Sequence, residues 1–410
     1  MLFYIKADKI VIGNGDALEH AAVVVNNGRI SQIGESIPVP PDAQVIHLKG
    51  STLLPGLVDA HSHAGEDSCR EEGISQQHLQ PDARKALRGY VSLQKDLRCG
   101  TTTIRLLGDG FGCLDKHLRE AISAGEIEGP HILAACMALR PSNGTAPEIG
   151  FAADGADEVR KRVREAIFSG ADVIKLFISN VSRGSSYLDY LKGDLTRISS
   201  YTYPEIAAAV EEAHRSGLKV ACHCLGGDVV QWALKAGVDS LEHCNLITSE
   251  DIDHFLENHA FISDPNLHLF FDPEKGFESA ANKTHKWNEL PEWWHEKVYA
   301  ARENTRNVFR EALKRGVPFA LGTDLNHGGL WLECKYFVQE IGATPMQAIQ
   351  AVTLNGALCC GIEDQAGSVE VGKRADLISV DGDPTKNILQ MKQVGFVMKE
   401  GRVVFHANSR

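Results

Sequence analysis

Apolar and polar positions along the chain repeat one motif: an amphipathic stretch, a glycine, then a short run of β-branched or apolar residues. The motif appears at Gly100 (followed by Thr-Thr-Thr-Ile-Arg-Leu-Leu), Gly170 (Ala-Asp-Val-Ile-Lys-Leu-Phe-Ile) and Gly217 (Leu-Lys-Val-Ala-Cys-His). It returns at Gly237 (Val-Asp-Ser-Leu-Glu-His) and Gly316 (Val-Pro-Phe-Ala-Leu-Gly-Thr-Asp). Glycine suits the end of a helix because it enters the left-handed region without a Cβ clash. The stretches before it read as helices. Val159, Val163 and Ile167 recur at helical spacing within 157–169, and Thr202-x-Pro204-Glu205 and Thr344-Pro345-x-Gln347 are capping boxes.

Helix followed by buried strand, repeated this often, predicts parallel βα units. With Leu53–Ala60, Ile132–Met137 and Phe261–Ser263 there are eight candidate strands. The expected fold class is therefore α/β, a (βα)8 TIM barrel over residues 55–362, since such a barrel needs roughly 250 residues. A doubly wound sheet would call for a glycine-rich dinucleotide turn after an early strand, and the sequence has no such turn. The ends read differently, as short alternating strands broken by turns such as Asn14-Gly15 and Asn26-Asn27-Gly28. Neither end has enough strands for a stable sheet alone. Residues 1–54 and 363–410 are expected to build one small β-sandwich together.

Charge and composition narrow the partners. The chain has 410 residues, with 42 Lys+Arg against 54 Asp+Glu for a net charge of −12 and no basic block. Such a surface gains little from phosphate counter-ion release, so nucleic acid is not an expected partner. No apolar run reaches the roughly 18 residues of a membrane span, and the start Met-Leu-Phe-Tyr-Ile-Lys lacks the features of a signal peptide. The 10 cysteines have no framework spacing, which suits reduced thiols and a cytoplasmic location.

Chemistry concentrates where the strands should end. His61 and His63 follow the first apolar run, and residues i and i+2 of a strand share a side, so both imidazoles can reach one ion. His223, His243 and Asp324 each end a later run. Barrel enzymes carry their chemistry at those ends. Lys175 lies inside Val173-Ile174-Lys175-Leu176-Phe177-Ile178, where burial disfavours a charged ammonium. Two readings are open for it: an ion pair with a carboxylate, or a CO2-derived carbamate that bridges two metal ions. Cys222 and Cys224 alternate with His223 and are expected to pack on the opposite side.

Several stretches resemble the amidohydrolase superfamily. These are Leu54-Pro55-Gly56-Leu57-Val58-Asp59-Ala60-His61-Ser62-His63, Gly100-Thr-Thr-Thr-Ile-Arg105 and the strand of Lys175. Ala221-Cys-His223, Ser240-Leu-Glu-His243, Gly322-Thr-Asp324 and the tail from Gly367 to Asp376 continue the match in order over nearly the whole chain. The order is most similar to the prolidase-like branch of Xaa-Pro dipeptidases and metal-dependent carboxypeptidases. The resemblance implies a barrel with a β-sandwich and two divalent ions, usually Zn2+. It implies that His61, His63 and Asp324 bind one ion, that His223 and His243 bind the other, and that carboxylated Lys175 bridges them. Hydrolysis of a small amide or peptide-like C–N bond would follow, with Asp324 as general base and acid. Competing classes are a cyclic-amide hydrolase or deaminase of the same superfamily, or a non-catalytic scaffold. Deaminases usually add a His-x-x-Glu, and here the fourth residue is Gly226.

The chain departs from that branch in its loops. The usual Thr-Gly-Gly-His stretch is replaced by Ala138-Leu-Arg140-Pro-Ser-Asn-Gly-Thr, and Ser-Gly-Gly after the lysine becomes Ser179-Asn180-Val181. Substrate contacts are expected from Arg183, from His327 just beyond Asp324, and from Trp293 and Trp294 in an aromatic-rich segment at 264–296. That segment would either wall an apolar pocket or seal a homo-oligomer interface.

Overall fold

The computed structural model describes residues 1–68, 74–110, 112–182, 184, 187–280 and 287–407. Five strands open the chain: β1 Leu2–Val11, β2 Ala17–Glu19, β3 Ala22–Asn26, β4 Arg29–Gly34 and β5 Gln44–Pro55. The central segment carries β6 Leu57–Ser62, β7 Thr101–Leu106, β8 His131–Ala134, β9 Ala138–Arg140 and β10 Gly150–Ala152. It continues with β11 Val173–Phe177, β12 Lys219–Cys224, β13 Ser240–His243, β14 Phe261–Ser263 and β15 Phe319–Ala320. The tail adds β16 Leu377–Asp381, β17 Val394–Lys399 and β18 Arg402–His406.

The central strands form two parallel sheets, β6-β7-β8 and β10-β9-β11-β12-β13-β14-β15, so the fold is α/β with parallel sheets. Backbone hydrogen bonds join these sheets at both margins: Ala60 N donates to Leu321 O (3.1 Å) and Asp172 N to Ala134 O (2.7 Å). The two chain ends do combine, in one sheet of order β18-β17-β16-β5-β1-β3-β4, with β2 on β1. Leu377 of the tail lies opposite Pro55 of the N-terminal segment. The hydrogen-bonded strands of the two ends run in one path. Its apolar face buries Ile5, Val23, Leu53, Leu377 and Phe396 completely.

Two expected strands are shorter than their apolar runs. Leu53–Ala60 divides at Gly56, the last residues of β5 staying in the terminal sheet while β6 begins the parallel one. A Cβ at Gly56 would fall 2.1 Å from Thr102 Oγ1, so only glycine lets the chain pass β7 there. Ile132–Met137 breaks after Ala134, where Cys136 turns to φ 58° before β9.

The helices follow their patterns. Ala156–Ser169 buries Val159 and Val163 and stops at Gly170, which takes φ 94°. Helix Tyr203–Arg215 starts at a capping box in which Thr202 N donates to Glu205 Oε2 (2.8 Å). The aromatic segment differs from expectation, because Trp293 and Trp294 sit on the first turn of the helix Glu292–Arg315 rather than in a loop. Among the described residues no helix is long and apolar enough to cross a membrane.

Candidate active site

Parallel register brings the strand ends to one edge. Phe177 lies beside His223, Cys224 beside His243, and Ser62 bridges to Asp324. His61 and His63, two residues apart, point the same way, with their Nε2 atoms 3.4 Å apart. Asp324 Oδ1 lies 3.4 Å from His63 Nε2 and 3.9 Å from His61 Nε2. Ring centroids separate His61 from His243 by 5.2 Å and His243 from His223 by 5.0 Å. Lys175 lines the same cavity, of about 610 Å³, together with all five of these residues.

A buried outer layer aims the imidazoles. His61 Nδ1 meets Glu242 Oε2 at 3.1 Å, His63 Nδ1 bonds the carbonyl of Gly108, and His243 Nδ1 meets Asp264 O at 3.1 Å. With Nδ1 occupied as donor, Nε2 keeps its lone pair for the cavity. Arg105, itself buried, donates from Nη2 to Glu242 Oε1 (3.0 Å) and from Nε to Ala60 O (2.6 Å). Burial works against charge on Glu242, yet Arg105 and His61 hold its pKa well below the ordinary carboxylate value.

Electrostatics keep the cluster rich in lone pairs. Burial, then the charge of Lys175, pushes His61 down to about 3, and burial also lowers His63, His223 and His243. Burial opposes ionisation of Asp324, but His61, His63 and His243 draw its pKa below the usual range. Burial lowers the pKa of Lys175, and its Nζ has no hydrogen-bond partner among the described residues. Both carboxylate oxygens of Asp264 are likewise without a hydrogen-bond donor among the described residues, with Oδ2 3.2 Å from His61 Nδ1 and 3.4 Å from His243 Nδ1. Imidazole Nε2 lone pairs that face the Asp324 carboxylate fit divalent cations. Two groups converge closely enough to hold one, His61/His63/Asp324 and His61/His243/Asp264.

The backbone is strained here. His243 (φ 72°), Asp264 (φ 41°), Asn266 (φ 51°), Asp324 (φ 52°) and Asn180 (φ 70°) all take left-handed conformations. Such residues cost of order 1–3 kcal/mol each and gather at functional sites. At His243 the turn breaks strand alternation, so Glu242 and His243 both serve the cluster. That is why Glu242 could not be found from sequence: simple alternation sends it to the opposite side. Asn180, where the related branch has glycine, donates to Asp194 Oδ1 (2.7 Å) and lies 3.4 Å from His223 Nε2.

The expected substrate residues divide. Trp294 is buried and lines the cavity with Phe270 and Phe177, whereas Trp293 packs edge-on behind it, 6.2 Å away between centroids. Arg183 lies outside the described residues. His327 does not line the cavity, although a loop position suggested an exposed ring. It is 1% exposed, with Nδ1 2.6 Å from Asp96 Oδ2 and Nε2 2.9 Å from the carbonyl of Glu66 and 3.1 Å from that of His63. Burial opposes its charge, but Asp96 raises its pKa to about 9. Its place is behind the loop that carries His63. Cys222 and Cys224 are fully buried in the core, as the alternation implied.

These strand-end donors form a candidate metal-binding cluster on a parallel α/β scaffold. A family model described as the amidohydrolase family matches residues 52–404, and the chain belongs to that family. It is 28% identical to the ochratoxinase of Aspergillus niger over 97% of this chain and 86% of that protein. It is 24% identical to the imidazolonepropionase of Alkaliphilus metalliredigens, covering 94% of this chain and 90% of that one. The solved structure of a Xaa-Pro dipeptidase with methionine bound in its active site superposes with a TM-score of 0.83 at 29% identity, over 99% of this chain and 100% of that chain. The protein is thus a hydrolase acting on C–N bonds, of a superfamily that generally uses divalent metal ions.

Proposed function

We propose that the protein is a binuclear metal-dependent amidohydrolase that cleaves the amide or peptide-like C–N bond of a dipeptide, an N-acyl amino acid or a related small amide. The observation that carries this reading is the convergence of His61, His63, Lys175, His223, His243 and Asp324 on one cavity. His61, His63 and Asp324 would hold one ion, and His223 and His243 the other. Lys175 would bridge them as a carbamate, formed when its neutral amine adds to CO2 and releases a proton. Divalent metal ions, Zn2+ in this reading, polarise the substrate carbonyl and acidify a bound water when present.

The chain's own groups do the rest. Asp324 takes a proton from the attacking water and returns it to the leaving nitrogen. Asn266 Nδ2, 3.1 Å from Asp324 Oδ2, orients that carboxylate. Glu242 and Asp264 hold the imidazoles, and Phe177, Phe270 and Trp294 exclude water and favour an apolar or aromatic group beside the scissile bond. A relative with an apolar amino acid in its active site supports an amino-acid amide as substrate.

The margin hydrogen bonds support closure of the two parallel sheets into one (βα)8 barrel over 55–362, with 1–54 and 363–410 as its β-domain companion. The nine described cysteines are all free, which supports a cytoplasmic location. Leu87 (70% exposed) and Val91 (64%) on the helix Asp82–Arg98 suit self-association into a homo-oligomer. The imidazolonepropionase likeness favours a second reading, a cyclic-amide hydrolase. A panel of dipeptides, N-acyl amino acids, cyclic amides and aminated heterocycles, assayed with metal content measured, tests both. Turnover of cyclic substrates alone moves the assignment to the second reading, and loss of neither activity nor metal on chelation overturns the first.

A further inference from the structure

One wall of the cavity is assembled from groups that the hydrolytic chemistry above does not use. His268 follows β14 and lines the cavity. Its Nδ1 lies 2.7 Å from Glu333 Oε1. Glu333 is 1% exposed and also accepts the backbone N–H groups of Leu267 and His268, at 2.9 Å each. A buried carboxylate bonded in this way fixes the Nδ1–H tautomer, as in acid–histidine pairs generally. The second ring nitrogen, Nε2, makes no hydrogen bond among the described residues, and the ring lines the cavity.

Glu66 lines the same cavity and is 5% exposed. Its Oε1 lies 3.1 Å from His78 Nδ1. Burial raises the pKa of Glu66 well above the ordinary carboxylate value and lowers that of His78 to about 4, so the pair holds no cation of its own near neutral pH. A buried carboxylate in that setting gains from a cation. Both groups line the one cavity and belong to segments tied to Asp324. The loop of Glu66 follows β6, whose Ser62 bridges to Asp324, and the segment of His268 begins at Asn266, which donates to Asp324.

We propose that His268 and Glu66 form a subsite for the free amino group of the substrate's acyl part, so that the favoured substrates are aminoacyl amides such as dipeptides rather than N-acylated amino acids. The amine donates one N–H to His268 Nε2 and places its charge against Glu66. This inference rests on the amide-hydrolase reading above and selects within its substrate class.

His268→Asn separates contact from scaffold, because the asparagine amide keeps a donor near Glu333 and removes Nε2. Glu66→Gln removes the charge and keeps the shape. Steady-state kinetics would compare an aromatic dipeptide with its N-acetyl counterpart in metal-loaded enzyme. Each variant is expected to raise KM for the free-amine substrate about tenfold and to leave KM for the N-acetyl substrate within about twofold. Equal losses on both substrates, or no change on either, would overturn the subsite. Calorimetric binding of an amino-acid amide and of its N-acetyl form needs no turnover. Wild type should favour the free amine, and His268→Asn should erase that preference. If no C–N substrate is hydrolysed, the function reading fails while the binding measurement still decides the subsite.

Discussion

The floor of the cavity and its outer wall are made by different means. Floor groups come from strands and strand ends: His61 and His63 after an apolar run, Lys175 inside β11, His223 on β12 and His243 on β13. Wall groups come from a loop, the end of a short strand and the first turns of two helices: Glu66, Arg140 ending β9, His268 in the helix Leu267–Phe271 and Trp294 in the helix Glu292–Arg315. A parallel ladder sets the spacing of neighbouring strand ends, so the floor is rigid and chemically uniform. The wall is held by individual side-chain bonds, such as Glu333 on His268 and the backbone carbonyls of Gly150, Pro141 and Ser142 on Arg140. On the proposed function, catalysis belongs to a part the fold dictates, and selectivity to a part that can vary without disturbing it.

Variants can break that contrast. The largest effect is expected at Lys175. Lys175→Ala should lose most bound metal and lower kcat/KM by about three orders of magnitude or more, with partial recovery on adding a short carboxylic acid. Metal analysis with an activity assay checks this, and full metal content with full activity would remove Lys175 from the centre. Asp324→Asn keeps an oxygen donor but removes the base, so kcat should fall by roughly 10²–10⁴ with metal largely retained. An active, metal-replete variant would refute its proton-transfer role.

On the wall the effects should be smaller and substrate-dependent. Trp294→Ala should raise KM for the best aromatic substrate by about tenfold, as expected from a lost pocket contact of 1–3 kcal/mol. Trp293→Ala, behind it, should change KM by less than about threefold. If Trp293→Ala instead separates subunits with KM unchanged, the aromatic cluster serves an interface.

The terminal sheet provides the opposite control, stability without chemistry. Leu377→Ala should cost about 2–5 kcal/mol in denaturant unfolding while leaving KM unaltered. The smallest effect is a pH dependence. Lys9 Nζ lies 2.8 Å from Asp383 Oδ2, joining the two chain ends. Burial opposes charge on Asp383, but Lys9 and Thr385 bring its pKa to about 2. A carboxyl depressed on folding stabilises above its unfolded pKa of about 4, and that contribution disappears as pH falls from 4 towards 2. Asp383→Asn should therefore lower Tm slightly near neutrality, by less than about 1 kcal/mol of stability. The difference from wild type should vanish below about pH 2, and a difference that persists there would deny the ion pair its role.

Much of this could be read along the chain because periodicity and strand-end chemistry are local. The glycine after each helix and the capping boxes at Thr202 and Thr344 are legible within a few residues, and so are the His61/His63 pair and the isolated Lys175 as residues of the cavity. The His/Asp/Lys order also sufficed to identify the amidohydrolase resemblance. Positions whose meaning depends on distant partners could not be read. Leu53–Ala60 looks like one strand, yet the close approach of Thr102 at Gly56 divides it between two sheets. His327 looks like an exposed loop residue, yet Asp96, far earlier in the chain, buries and charges it.

Sequence alone therefore determined the repeating βα units, the union of the two ends and the residues that gather at the strand termini. Those features follow from local backbone preference and from burial patterns of period 2 and 3.6. Only the tertiary structure decided that Glu242 stands with His243 on the cluster side, that Trp294 faces the cavity while Trp293 does not, and that Glu333 fixes His268. The physical reason is that these outcomes depend on left-handed backbone turns and on hydrogen bonds between residues far apart in the chain, which no local pattern encodes.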